Sequence, residues 1–233
     1  MIEERITPNI SDESLVQEHL DRYMFASKFT YDTNVLDIAC GTGYGTHMLA
    51  ENAKYVVGVD ISYDAIEYAK SHYNKPNITF TEGNALVLPF ADNTFDVVVS
   101  FETIEHINNY RQFLRECNRV LKTGGTFICS TPNAAVSSPD GNINNPYHVM
   151  EFTKNEFNVM LLHNFNVVEI LGQHDINMIK HRIFNLYFKI KQKLKINKAL
   201  FPQNKQYTSF SFPIGLFKDG ITKSAYMIAV CTK

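Results

Sequence analysis

Apolar residues fall into short runs separated by stretches with helical spacing. Val35–Ala39 (VLDIA), Tyr55–Asp60 (YVVGVD), Ile78–Thr81, Phe95–Phe101 (FDVVVSF) and Thr126–Thr131 (TFICST) predict strands. Continuous Val and Ile, as in VVV, suits strands buried on both faces. Between them, Gly43–Ala53, Tyr63–Tyr73 and Tyr110–Leu121 predict helices. The last of these lines Phe113, Leu114, Cys117, Val120 and Leu121 along one face, and Gly124-Gly125 is expected to end it. A leading helix is predicted over Ser11–Phe29, with Ser11 as cap and Glu13 and Glu18 in its first turns. Strands alternating with helices imply βαβ units, hence an α/β fold with a parallel sheet covered on both faces. In such sheets ligands bind beyond the carboxyl ends of the strands, where strand order reverses.

After Thr131 the pattern loosens. Residues 132–152, rich in Pro, Asn, Ser and Gly, are too long for a plain connection and predict a substrate or lid loop. Thr153–Leu162 predicts a helix, with Thr153 as cap and Glu156 three residues on. Phe165–Leu171 and Ala225–Val230 predict the last two strands, with an insertion over 174–224 between them. Residues 1–33 then form a helical cap, and 1–233 is one domain. The 233 residues are 45% hydrophobic and 20% charged, which suits one sizeable core. A net charge of −2 offers no general attraction to nucleic acid. The acidic opening MIEERITPNISDE is unlike a signal peptide, and no apolar run reaches membrane-spanning length. Cys40, Cys117, Cys129 and Cys231 lie far apart, which argues against disulfides or a thiolate metal site and suits a cytoplasmic protein.

The run Asp37-Ile38-Ala39-Cys40-Gly41-Thr42-Gly43-Tyr44-Gly45 leaves the first strand and enters the first helix. Glycines permit a tight turn and close approach to a ligand, and the helix start offers unpaired amides. Alone, such a turn fits several nucleotide sites, including a nicotinamide Rossmann site. That fingerprint would place a glycine where Thr46 stands. With FDVVVSFETIEH and RVLKTGG following in order, the run resembles the class I S-adenosylmethionine-dependent methyltransferases, over about Glu18 to Leu171. The resemblance implies a Rossmann-like, seven-stranded, mostly parallel sheet with its last strand antiparallel. It also implies cofactor contacts at Asp37, Ala39, Gly41, Gly43, Asp60, Ile61, Asn84, Ala85 and Phe101. Asp37 would lie near the methionine ammonium and Asp60 would hold the ribose hydroxyls. Asn84 stands where the family usually has Asp; its amide oxygen can still accept from the adenine amino group. Leu88, Pro89 and Phe90 are expected near the adenine.

Glu102-Thr103-Ile104-Glu105-His106 follows the fourth strand. In a helix, positions i, i+3 and i+4 share a face, which would gather two carboxylates and an imidazole at the cleft. His148 stands in the later NPYHVMEFT. This arrangement resembles two branches of the family: ubiquinone-type O-methyltransferases, with ExxEH here, and small-RNA 2′-O-methyltransferases, with ExxEH plus a later His. The second resemblance implies a Mg or Mn site made by Glu102, Glu105, His106 and His148. The metal-free alternative makes His106 or His148 the general base.

Both routes help an alcohol lose its proton, so an oxygen acceptor is expected. STPN followed by NPYHVMEFT resembles methyltransferases of bacterial polysaccharide and sugar-nucleotide pathways, which implies a sugar hydroxyl. Small phenols or quinone precursors come next and RNA ribose third. From Lys180 to Lys198 every charged residue is basic (Lys180, Arg182, Lys189, Lys191, Lys193, Lys195 and Lys198). That stretch is either a packed helix with a solvated lysine face or a contact for an anionic lipid carrier, membrane or RNA. A cofactor-binding chain that supports a partner without catalysing is a further alternative, against which Asp37, Asp60 and the glycines argue.

Overall fold

The computed structural model describes residues 13–173, 214–215 and 224–233. The expected Ser11 cap, the body of the 174–224 insertion and the basic stretch 180–198 lie outside the described residues. Eight strands form one sheet: β1 (Asn34–Ile38), β2 (Tyr55–Asp60), β3 (Ile78–Glu82), β4 (Phe95–Ser100), β5 (Leu121–Pro132), β6 (Val167–Gln173), β7 (Ile214–Gly215) and β8 (Tyr226–Thr232). Their order is β3-β2-β1-β4-β5-β8-β6-β7. The two-residue β7 only extends the edge, so the expected seven-stranded sheet is present. β3, β2, β1, β4 and β5 pair in parallel, and β8 runs antiparallel between β5 and β6. Strand order reverses at β1, which lies between β2 and β4.

The helices are α1 (Glu13–Ala26), α2 (Tyr44–Leu49), α3 (Tyr63–His72), α4 (Tyr110–Val120), α5 (Ala134–Ser137) and α6 (Lys154–Leu162). Tyr23 and Ala26 of α1 and Tyr44 and Leu49 of α2 join Val35, Val97 and Val99 in one core cluster. Phe113 and Leu114 of α4 and Phe157 and Leu161 of α6 join Leu36, Val98 and Phe127 in another. Side chains alternate across each strand, so neighbouring residues of β1 and β4 feed opposite faces. The α6 start carries the expected capping box, with Thr153 and Glu156 each satisfying the other's backbone N–H. No described helix is long and apolar enough to cross a membrane, and the four cysteines are buried free thiols.

Three local expectations fail. Glu102–His106 is not a helix start: Glu102 has φ 47° and Thr103 φ −133°, and only a 3-10 turn forms over Ile104–His106. Positions i and i+3 therefore do not share a helical face. Gly124 and Gly125 do not end α4, which stops at Val120; they lie within β5 beside its register shift against β4. α2 is shorter than expected: it starts at Tyr44, past the left-handed Gly43 (φ 85°), and stops at Leu49, four residues before Ala53.

Candidate active site

The carboxyl tips of β1, β2 and β4 lie side by side, with Asp37 paired to Gly58 and to Val99. Beyond β1 the chain turns through three left-handed residues, Ala39 (φ 58°), Gly41 (φ 55°) and Gly43 (φ 85°). Asp60 fastens this turn. One of its oxygens accepts from the Gly41 amide at 2.8 Å and the other from the Ser62 amide at 2.9 Å. Ser62, not Asp60, caps α3. Ile61 next to it is 70% exposed, a bare apolar platform suited to a flat base. Asn84 is exposed and its Oδ1 accepts from the Leu86 amide at 2.9 Å, which leaves one lone pair for the role expected of it. Ala85 is partly buried against the core. Leu88 is buried, and Phe90 packs edge-on against Phe95, so both support the loop from beneath.

Asp37 makes its contacts within the protein. It is fully buried and accepts from Thr46 Oγ1 at 2.7 Å and from the Tyr23 hydroxyl at 3.2 Å. It thus ties α1 and α2 to the tip of β1. Burial pushes its carboxyl up to about 7, against the pull of these hydrogen bonds. Phe101 is also buried and meets Tyr23 edge-on at 5.0 Å, so its ring belongs to the core. Gly45 makes room for the same tyrosine, since a Cβ there would lie 2.0 Å from the ring. Tyr23 and Thr46 carry no sequence signal for this role.

The structure separates the four residues expected to bind metal. Glu102 accepts from the Ser130 hydroxyl and faces Arg22, with 3.6 Å between Arg22 Nη1 and Glu102 Oε1. Arg22 is fully buried, its Nε donates to Gln173 Oε1 at 2.7 Å, and its guanidinium lies 4.2 Å from the Tyr226 ring. Glu102 thus supplies a countercharge that a buried cation needs. Glu105, His106 and His148 do come together, one possible ligand atom from each lying within 4.8 Å of the others. Glu105 is fully buried: Oε2 accepts from Thr131 at 3.2 Å, while Oε1 has no hydrogen-bond partner and stands 4.0 Å from His106 Nε2. Burial, and then the Glu102 charge, push its carboxyl well above the ordinary range. His106 Nδ1 faces the Tyr147 carbonyl at 3.0 Å, so Nδ1 donates and Nε2 carries the lone pair. His148 Nδ1 faces Glu151 Oε1 at 2.7 Å.

The chain matches a methyltransferase-domain family model over residues 36–129. A probable S-adenosylmethionine-dependent methyltransferase of Mycolicibacterium smegmatis is 34% identical over 172 residues, covering 72% of this chain and 66% of that protein. A demethylmenaquinone methyltransferase of Listeria welshimeri is 38% identical over 110 residues, covering 43% and 47%. The chain thus spans less than two thirds of the length of these curated relatives. Among solved structures, a possible histamine N-methyltransferase of Thermotoga maritima superposes with a TM-score of 0.63 at 17% identity, covering 94% of this chain and 90% of that one. These matches set aside a nicotinamide enzyme. The chain thus carries a methyltransferase-domain match over residues 36–129 and the Rossmann-like fold of the S-adenosylmethionine-dependent methyltransferases to which it is similar.

Proposed function

We propose that the protein transfers the methyl group of S-adenosylmethionine to a hydroxyl of a small-molecule acceptor, at the cluster Glu105, His106 and His148. The observation that carries this reading is the buried Glu105 oxygen without a hydrogen-bond partner, set beside two imidazoles just past β4. Asp60 and Ile61 suit the ribose and base of the cofactor, with Asn84 and Ala85 at its rim and the backbone of Ala39, Gly41 and Gly43 along its amino-acid end. Asp37 acts there by bracing the turn. The bound cofactor supplies an electrophilic methyl carbon on a sulfonium; the protein aligns the nucleophile and removes its proton.

An alcohol must lose a proton as it reacts, and His106 Nε2 is the atom to receive it. Burial holds the Glu105 carboxyl well above the ordinary carboxylate range, which favours its protonated form and leaves the imidazole as the better base. A divalent ion held by Glu105, His106 and His148 would instead ionise Glu105 and lower the acceptor's pKa. With Glu102 engaged elsewhere, the set is one carboxylate and two imidazoles, which suits Mn better than Mg. A cation reaching His148 Nε2 displaces the Asn145 amide, which lies 3.0 Å from it.

A sugar or sugar-nucleotide hydroxyl is the favoured acceptor, on the resemblance of STPN and NPYHVMEFT to polysaccharide-pathway enzymes. A quinol or small phenol is the second reading, favoured by the listerial relative and by exposed Tyr147 and Val149 beside His148. Incubation with the cofactor and panels of sugar nucleotides, quinols and RNA, followed by mass spectrometry, should show a methylated sugar product. Treatment with EDTA should abolish turnover and Mn should restore it. Full turnover after EDTA removes the metal and leaves His106 as base, and methylation confined to amines sinks the reading.

A further inference from the structure

The loop after β5 holds a buried histidine–carboxylate contact at one edge of the cluster. The side chains of His148 and Glu151 are 9% and 3% exposed, and 2.7 Å separates His148 Nδ1 from Glu151 Oε1. The other Glu151 oxygen, Oε2, accepts from two hydroxyls, Ser137 in α5 and Ser138 just after it, the latter at 2.6 Å. With both hydroxyls donating to Oε2, Oε1 is left as the acceptor that faces the ring.

The opposite side of the ring is equally determined. Asn145 Oδ1 accepts from the Tyr147 amide at 3.0 Å, which fixes the orientation of the side-chain amide. Its Nδ2, a donor, then faces His148 Nε2 at 3.0 Å. An acceptor at Nδ1 and a donor at Nε2 admit one neutral form of the ring, with the proton on Nδ1 and the lone pair on Nε2. His106 is set the same way by the Tyr147 carbonyl. We infer that Glu151, clamped by Ser137 and Ser138, is a positioning residue that holds His148 as the Nδ1–H tautomer and so keeps Nε2, which accepts from Asn145 here, as its lone-pair nitrogen. This rests on the proposed function only for what Nε2 then does. A base or metal-ligating histidine needs its second nitrogen held in this way, and loss of such a partner typically weakens metal binding about 10- to 100-fold.

Imidazole 15N spectra of the metal-free full chain read the tautomer without cofactor or acceptor. In the unmodified protein His148 should appear protonated at Nδ1 and bare at Nε2. Glu151→Ala should shift the ring toward the Nε2–H form. Glu151→Gln, whose amide oxygen can still accept from Nδ1, should return it to Nδ1–H, a rescue that simple loss of packing would not give. An Nε2–H ring in the unmodified protein, or an unchanged ring in Glu151→Ala, overturns the inference. If Glu151→Ala fails to fold, the paired substitution Ser137→Ala with Ser138→Ala replaces it. Mixed tautomers in that variant support the clamp, and an unchanged ring overturns it. In a Mn titration Glu151→Ala should raise Kd about tenfold or more, and Glu151→Gln should recover most of that loss. An unchanged Kd beside a displaced tautomer in Glu151→Ala upholds the positioning and removes His148 from the proposed cation site instead.

Discussion

At the scale of single residues, the burial of Asp37 has a measurable cost. Its folded carboxyl titrates at about 7, raised by desolvation, whereas in the unfolded chain it titrates near 4. The folded state therefore holds the extra proton between those values. The contribution of this group to stability is whole below about pH 4 and is lost as pH rises toward 7. Asp37→Asn removes the ionisation and keeps an oxygen for Thr46 or Tyr23. Denaturant unfolding of both proteins at about pH 4.5 and 7.5 should show the parent losing ground to the variant by a few kcal/mol across the interval. A constant gap would mean that the carboxylate is well solvated. Asp37 is visible in the sequence as an important acid at the tip of a strand. Its partners are not, because Tyr23 lies on another helix and a lone tyrosine in a helical stretch has many uses. Asp60 is legible as an acid that ends a strand, but its hold on the Gly41 and Ser62 amides is not, because that depends on the turn beyond β1. Glu151 is hidden in a polar loop, where spacing has no periodicity to interpret.

Elements matter through what they hold in place. α4 reaches back to the loop that carries Asn84 and Ala85. Glu116 Oε2 accepts from the Leu88 amide at 2.8 Å, and Arg119 donates to the Leu88 and Phe90 carbonyls at 3.0 and 2.7 Å and to Asp92 at 2.8 Å. Arg119 also makes a two-pronged contact with Glu116, so one guanidinium joins helix and loop. Arg119→Ala should lower cofactor affinity several-fold in calorimetric titration and reduce Tm by a few degrees. Arg119→Lys should recover little, since an ammonium cannot form the fork. Equal affinity in both variants and the parent would show that the loop holds itself. Elements built on periodicity are legible: β1, β2 and β4 from unbroken Val and Ile, α4 from its apolar stripe, α6 from its capping pair. ExxEH misleads because its spacing matches a helix while Glu102, at φ 47°, turns the chain out of one. That turn sends Glu102 toward Arg22 and Glu105 into the core, which no count of residues reveals.

For the whole molecule, the alternation of strands and helices implies a parallel sheet, but only the family resemblance implies an antiparallel last strand. β8 enters between β5 and β6, pairing with each over seven residues, whereas β6 otherwise meets only the two-residue β7. Ile228, at the centre of β8, is fully buried. Ile228→Ala should cost about 2–5 kcal/mol. Under native-state hydrogen exchange the amides of β6 should then lose protection together with those of β8, while β1 and β4 keep theirs. Protection retained in β6 would show that it is anchored independently. The insertion of β8 also bears on how the molecule is made. A chain emerging from the ribosome can zip β1 to β5 from neighbouring segments, but β6 then waits with the edge that β8 will cover open until Tyr226–Thr232 has been synthesised. For that interval the nascent protein carries a strand with no place to go, and it is there that a chaperone, or a second nascent copy, would find it.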